Sequence, residues 1–434
     1  MLLIKTEFQR KIYDKDMQVY NKDTMCYKTW NDIIISLPKK TVSWCCKTNL
    51  TAQQTKETTF DLDILNTQGI DFLFNHPILQ KRKNDLATGV RCPDCHVCWE
   101  SEDRSGQSHR TLYTKTYESK ESFTGEFDYD TPATFIELEL TNKCNLACVY
   151  CGPQLSSRWQ KELKQRHPDT EDEIFHKVME LFTEYCNTKL TNEPYINISL
   201  LGGEPFFTDH MYIFLEYLSK FHVKPEQEVT VTITTGMAFP EKKFTKFIEL
   251  IERTPNIIYI MQLSGEAIDE RAELIRWGMD FKTWNNNLDM FLTESARLKN
   301  LVIGFGCAHN ALSLPYFKDF LVYINKKLAK HEYKSLVWFL INYIEEPQHL
   351  SISMLNSHHA DAVTEQIEYM ENEMTNLYKK DEYITMLKSL RNQILNANVT
   401  PEMKQNASKE FEMLENRRGV SYKSEFPHFD EIVK

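Results

Sequence analysis

The stretch Thr141-Asn142-Lys143-Cys144-Asn145-Leu146-Ala147-Cys148-Val149-Tyr150-Cys151-Gly152 decides how the rest of this chain is read. Its Cys-x3-Cys-x2-Cys spacing supplies three thiolates from one short loop. An iron–sulfur cube has four irons, so three thiolates leave one iron without a protein ligand. A cluster held by four cysteines passes electrons, whereas one held by three can also bind a substrate or cofactor. The same logic separates open catalytic zinc sites from closed structural ones.

A zinc knuckle or a chance group of buried thiols is the plain alternative. Zinc sites pair one Cys-x2-Cys with a second, distant pair. This triplet is asymmetric, and the next cysteine, Cys186, falls inside a helical pattern. Upstream, Thr134–Leu140 alternates and is β-branched, so it reads as a strand. The triplet follows the C-terminal end of that strand, where α/β barrels place their ligands and catalytic groups.

Working outward, strand-like runs recur at 196–201, 229–234, 257–263, 301–307 and 336–343. Helical apolar spacing lies between them, over 173–182, 212–221, 244–251 and 316–324. Strands each followed by a helix predict a parallel sheet with right-handed crossovers. Six such units are too few for a closed eight-stranded barrel. The expected fold is therefore α/β, an open (βα)6 partial TIM-type barrel. Residues 1–125 are expected to form an N-terminal cysteine-rich auxiliary-cluster domain, residues 126–356 the barrel, and residues 357–434 a C-terminal helical extension broken once at Thr400-Pro401.

At this point the chain resembles the radical S-adenosylmethionine (SAM) superfamily. That superfamily's mark is Cys-x3-Cys-x-aromatic-Cys after the first barrel strand, and Tyr150 fills the aromatic position. The resemblance implies a 4Fe–4S cluster on Cys144, Cys148 and Cys151, with SAM on its open iron. After the second strand comes Gly202-Gly203-Glu204-Pro205. Two glycines let backbone approach a ligand closely, and a carboxylate suits an ammonium. In the superfamily this motif meets the amino group of SAM. The third strand ends in Thr234-Thr235-Gly236, where relatives often have Thr-Asn-Gly. The resemblance carries Ser264 over to the ribose hydroxyls and Arg276 to the cofactor carboxylate, which a guanidinium matches bidentately. A surface helix Arg is the plain alternative for Arg276. Asn310, after the fifth strand, would reach the cofactor's polar edge. Cys186 and Cys307 read as buried thiols.

A second cysteine group lies near the N-terminus. Cys26 and Cys45 flank a hairpin-like stretch, Ile33–Trp44, and Cys46 follows directly. Downstream runs Cys92-Pro93-Asp94-Cys95-His96-Val97-Cys98-Trp99-Glu100. This resembles the twitch and SPASM auxiliary domains, and implies a second 4Fe–4S cluster on Cys26, Cys45, Cys95 and Cys98. Glu100, Gly106, Ser108 and Arg110 resemble a Glu-x-Gly-x-Ser-x-Arg-like run of a phage-type twitch subgroup. Auxiliary domains usually follow the barrel, whereas here the cysteines precede it. A separate tetrahedral zinc module on the same thiols is the alternative. The choice between Cys45 and Cys46, and among Cys92, Cys95 and Cys98, stays open. His96 reads as a neighbour of the metal site, not a ligand.

The chain has 434 residues, 41% hydrophobic and 26% charged, an ordinary globular composition with room for two or three domains. No apolar run is long enough to span a bilayer, and the N-terminal apolar stretch is too short for a signal peptide. A reducing cytoplasmic location is expected, where eleven cysteines are better explained by metal than by disulfides. Net charge is −11, carried downstream of the N-terminal segment. That acidic body argues against broad nucleic-acid binding.

The resemblance implies reductive cleavage of SAM to a 5′-deoxyadenosyl radical that abstracts hydrogen from a substrate. It also implies a low-potential electron donor such as flavodoxin or ferredoxin. The expected substrate is a peptide or protein side chain, as for an oxidoreductase or maturase. A nucleotide, sugar or other small molecule is the alternative, and a non-enzymatic metal-binding adaptor is a second one.

Overall fold

The computed structural model describes residues 21, 23–45, 47–48, 52–106, 108–111, 114, 132–333 and 335–434. The expected domain of residues 1–125 lies partly outside this set, and so does Cys46.

Eight strands are ordered β2-β1-β3-β4-β5-β6-β7-β8 in one open, mostly parallel sheet. They are β1 (Asp32–Ser36), β2 (Thr41–Ser43), β3 (Phe135–Glu139), β4 (Tyr195–Leu201), β5 (Glu228–Thr235), β6 (Ile257–Ser264), β7 (Leu301–His309) and β8 (Trp338–Tyr343). The six strands expected from the sequence are β3 to β8, each within two residues of its predicted bounds. The sheet is larger than expected because the N-terminal hairpin joins it. β1 pairs antiparallel with β2, and then pairs parallel with β3 from Asp32↔Phe135 to Ser36↔Glu139. The cause is the Ile33-Ile34-Ile35 run. All five residues of β1 are buried, which is how a strand covered on both faces reads.

The chain divides into two compact units. The first takes in Met1–Glu139, Thr170–Ser199 and Lys220–Gln227, and the second takes in Leu140–Asp169, Leu200–Ser219 and Glu228–Lys434. In the first, α1 (Tyr27–Asn31), α2 (Pro77–Ala87) and α3 (His96–Ser105) surround a cluster of Met25, Tyr27, Trp30, Leu86 and Trp99. A longer helix of the same unit, Asp172–Thr188, stacks Tyr185 on Phe74 with centroids 4.2 Å apart.

In the second unit, α4 (Ser157–Leu163) follows the three-cysteine loop. Next come α5 (His210–Leu218), α6 (Glu241–Glu252), α7 (Asp269–Ile275), α8 (Phe281–Arg297) and α9 (Phe317–Lys330). α8 shows why these segments are helical. Asp280 caps it by accepting from the Thr283 amide, and Phe281, Trp284, Leu288, Phe291 and Leu292 bury one stripe. Phe206 and Phe239 stack 4.0 Å apart, with Phe291 edge-on to both.

One face of β7 is kept low by glycine. Gly304 and Gly306 alternate with the buried Ile303, Phe305 and Cys307. A Cβ at Gly304 would lie 2.1 Å from the Trp338 ring, and one at Gly306 would lie 3.0 Å from Gln262. The C-terminal segment is helical as expected, in α10 (Ala360–Glu373), α11 (Lys380–Leu395) and α12 (Pro401–Arg418). The expected break is a helix start. Thr400 caps α12 through the Met403 amide, and Pro401 takes the first helical position, where its missing N–H costs nothing.

Candidate metal centre and cofactor-binding face

The loop bearing Cys144, Cys148 and Cys151 is held by its backbone. The Ala147 amide donates to Trp277 O at 2.7 Å and the Val149 amide to Ile275 O at 2.8 Å. The start of α4 closes the other side. The Cys144 amide donates to Ser157 Oγ, whose hydroxyl donates back to Cys144 O, both at 3.1 Å. Trp159 Nε1 donates to Cys148 O at 2.9 Å, and Arg418 of α12 donates to Ala147 O at 2.9 Å. Asn145 Nδ2 reaches Ala238 O at 2.7 Å. The backbone at Cys144 and Cys148 is thus held by neighbouring elements.

All three thiols are pushed up in pKa. Burial is the main cause at Cys144, reinforced by Glu204 and Cys148. Burial carries Cys148 to about 12 against the pull of Arg276, and also raises Cys151. Such thiols become thiolates only against a strong local cation, and a metal group supplies one.

The glycine pair packs against this loop. The Gly203 amide donates to Thr141 O at 2.8 Å and the Glu204 amide to Lys143 O at 3.0 Å. A Cβ at Gly203 would lie 2.1 Å from Lys143 O, so only glycine fits. Gly202 has φ 106, a conformation that also favours glycine. The sequence argument assigned the close approach to a ligand, whereas here Gly203 lies against the cysteine loop itself.

Glu204 is buried and accepts three bonds, from Thr235 Oγ1 at 2.6 Å, the Gly236 amide at 2.7 Å and the Phe206 amide at 3.2 Å. Burial raises its pKa, and these donors oppose that. Sequence reasoning gave Thr235 no role. Its hydroxyl does what a donor at that position can do for the carboxylate.

Arg276 is not a surface helix residue. It follows the last turn of α7 and is buried, paired with the buried Glu266 at 2.5 Å. Tyr150 completes the group. Its hydroxyl lies 3.4 Å from Glu266, and the Arg276 guanidinium lies 5.6 Å from its ring centroid. Sequence reasoning gave Glu266 no task, although an acid directly after Ser264-Gly265 at a strand end was the available signal. Among the described residues Arg276 Nε has no hydrogen-bond partner, so one buried donor remains for a further acceptor.

The other predicted contacts are less directed. Thr234 Oγ1 donates to Gln262 Oε1 at 2.9 Å. Ser264 is buried, and its carbonyl accepts from Trp284 Nε1 at 2.9 Å. Asn310 spends its amide on a turn, with Oδ1 accepting from the Leu312 and Ser313 amides and Nδ2 donating to Ala308 O. Cys186 and Cys307 are buried thiols.

In the first unit, Cys26, Cys45, Cys95 and Cys98 line one cavity, together with Lys28, Arg82, His109 and Arg110. Cys26 precedes α1, Cys45 follows β2, and Cys95 and Cys98 open α3. Cys92 lies in the apolar cluster with Cys26, its thiol in hydrogen-bond contact with that of Cys95 and 3.8 Å from Arg82 O. Burial carries the Cys26 thiol to about 12, with Cys45 and Cys95 adding to the rise. Among the described residues no three cysteine sulfurs, here or in the loop, lie mutually within 4.8 Å. Tetrahedral zinc with Zn–S near 2.3 Å holds its sulfurs about 3.8 Å apart. In the run from residue 100 to 110, the carboxylate contacted by Ser108 and Arg110 is that of Glu102, at 2.5 and 2.6 Å. The residue quoted from sequence was Glu100. Gly106 ends α3 in the left-handed region at φ 72.

No family model matches the chain. A curated relative is GTP 3',8-cyclase from Campylobacter lari, 22% identical over 102 residues, which are 24% of this chain and 27% of the relative. The matched stretch spans about a quarter of that protein. This similarity to a radical SAM enzyme supports the radical SAM superfamily in general, with the 4Fe–4S cluster and SAM that such an enzyme uses. The cysteine-rich chain is compatible with it. Among the described residues no helix is long and apolar enough to cross a membrane.

Proposed function

We propose that this chain is a radical SAM enzyme with its site at the strand ends of an open partial barrel. Cys144, Cys148 and Cys151 would hold a 4Fe–4S cluster. Glu204, Arg276, Tyr150 and Ser264 would receive SAM, with Thr234 and Asn310 at the margin. The observation that carries the reading is Gly203 lying against Lys143, because it joins the three-thiol loop to the buried carboxylate of Glu204. The unpartnered Arg276 Nε fits the same reading, as a donor for a carboxylate. When bound, the reduced cluster would supply the electron that cleaves SAM to methionine and a 5′-deoxyadenosyl radical. The chain's own residues have the remaining work. Glu204 orients an ammonium, Arg276 a carboxylate, and the buried Glu266 keeps the guanidinium charged and aimed.

The domain layout belongs to the same proposal. Residues 1–125 form a twitch/SPASM-like auxiliary domain of the phage type, residues 126–356 the core barrel and residues 357–434 a helical extension. Cys26, Cys45, Cys95 and Cys98 hold a second 4Fe–4S cluster. The four thiols line one cavity, and four thiolates close such a cluster. The enzyme is a cytoplasmic oxidoreductase or maturase that takes electrons from a flavodoxin- or ferredoxin-like donor and acts on a peptide or protein side chain. A nucleotide substrate is the second reading, favoured by the name of the cyclase relative.

The test is anaerobic. Reconstituted protein, reduced with dithionite and given SAM, is expected to release 5′-deoxyadenosine. No release from protein carrying its iron and sulfide would end the radical SAM reading and leave the adaptor.

A further inference from the structure

Beside the three-cysteine loop, α4 opens onto a surface groove of about 400 Å³ lined by Ser157, Gln160, Lys161, Lys164, Gln165 and Arg166. We infer that this groove is the docking surface for the electron donor, a small acidic electron-transfer protein. The inference rests on the reading that the Cys144 loop holds a cluster needing one electron.

Three observations carry it. First, the groove is coupled to the loop through hydrogen bonds. Ser157, at its rim, exchanges bonds with Cys144, and Gln160 donates to Pro153 O at 2.9 Å. Second, its charge is free. Lys161, Lys164 and Arg166 are exposed, and among the described residues none has an ion-pair partner. Glu162 is the one acid between residues 143 and 167, and it is engaged by Arg417 and Arg418 at 3.4 and 3.1 Å. Third, the rest of the chain carries the opposite sign, with a net charge of −11. An acidic partner is repelled by such a body at long range and drawn to a local basic groove. Screening over about 8 Å at physiological salt confines that attraction to the groove. In the transfer the donor is oxidised by one electron and this enzyme reduced by one, with no bond made or broken.

The test measures binding separately from turnover. Oxidised flavodoxin is titrated into the full-length protein at low salt, with fluorescence or calorimetric detection. The variant Lys161→Glu/Lys164→Glu/Arg166→Glu is expected to bind about tenfold more weakly, as rim charges of this kind allow. The wild-type affinity is expected to fall as salt rises. Flavodoxin-driven formation of 5′-deoxyadenosine should fall in the variant, while dithionite-driven formation stays at the wild-type level. Should the reversal disturb α4, the charge-keeping Lys161→Arg/Lys164→Arg/Arg166→Lys protein must retain wild-type binding. Unchanged affinity in the reversed variant, or a salt-independent wild type, overturns the assignment. So does a groove that binds single-stranded RNA in place of flavodoxin. Failure of dithionite-driven cleavage in the wild type would strike the parent reading, while the binding titration would still decide the groove.

Discussion

Cys144, Cys148 and Cys151 come from one loop, whereas Cys26, Cys45, Cys95 and Cys98 come from three separate elements of the other unit. The loop offers three thiols beside two buried carboxylates, Glu204 and Glu266, with the charged Arg276 paired to Glu266. The cavity offers four thiols beside buried ion pairs, Lys28 with Asp32, Arg82 with Asp94 and Arg110 with Glu102. A three-thiol site with ligand-binding groups beside it suits chemistry on a bound molecule. A four-thiol site suits a closed cluster that only stores or passes an electron. The contrast is therefore one of coordination number, and each site can be broken separately.

The largest effect is expected at the loop. Cys148→Ala should reduce 5′-deoxyadenosine to background while the iron of the N-terminal site remains. Chromatography of the product alongside iron analysis checks it, and surviving cleavage would erase the distinction between the sites. Cys98→Ala should do the reverse, lowering iron by roughly four per chain if the cavity holds a cube. Dithionite-driven SAM cleavage should persist in that variant. Lost zinc with unchanged iron would make the cavity a zinc module.

Gly203→Ala sharpens the comparison without touching a thiol. A methyl 2.1 Å from Lys143 O must displace the cysteine loop, at a cost of about 1–3 kcal/mol in the stability of the second unit. Thermal melting reads that loss. Gly106→Ala in the first unit is the control, because nothing lies within 4 Å of its Cβ position and the strain is that of φ 72 alone. Equal losses in the two would mean that close packing at Gly203 is not the reason for glycine.

The gentlest test is pH. In the second unit burial lowers His309 to about 3, and His349 and His428 to about 4. These side chains stay neutral in the folded state while the unfolded chain takes up protons below pH 6.5. Their contribution is present above 6.5 and is lost as pH falls toward 4, by at most about 1.4 kcal/mol per pH unit for each. In the first unit His109 behaves alike, lowered to about 4, but Asp32 is raised by burial to about 7. A carboxyl raised in the folded state loses stability as pH rises from 3.8 to 7, so it opposes the histidine. Hydrogen exchange between pH 7 and 4.5 should show the second unit loosening more steeply. Parallel loosening of both would refute the assignment.

The amino-acid sequence by itself determined the six strands β3 to β8, their helices and the three-cysteine loop. Those signals are local: β-branched alternation, apolar residues at helical spacing, and three thiols so close in the chain that no distant contact is needed to unite them. Tertiary structure alone decided the rest. It brought β1 alongside β3, because a strand buried on both faces carries no periodicity that names its neighbour. It brought Cys26, Cys45, Cys95 and Cys98 to one cavity, because which thiols share a cavity depends on how α1, α2 and α3 pack. It gave Glu266 and Thr235 their partners, because a carboxylate or hydroxyl acquires its role from what burial places within hydrogen-bond reach, and that distance is not written along the chain.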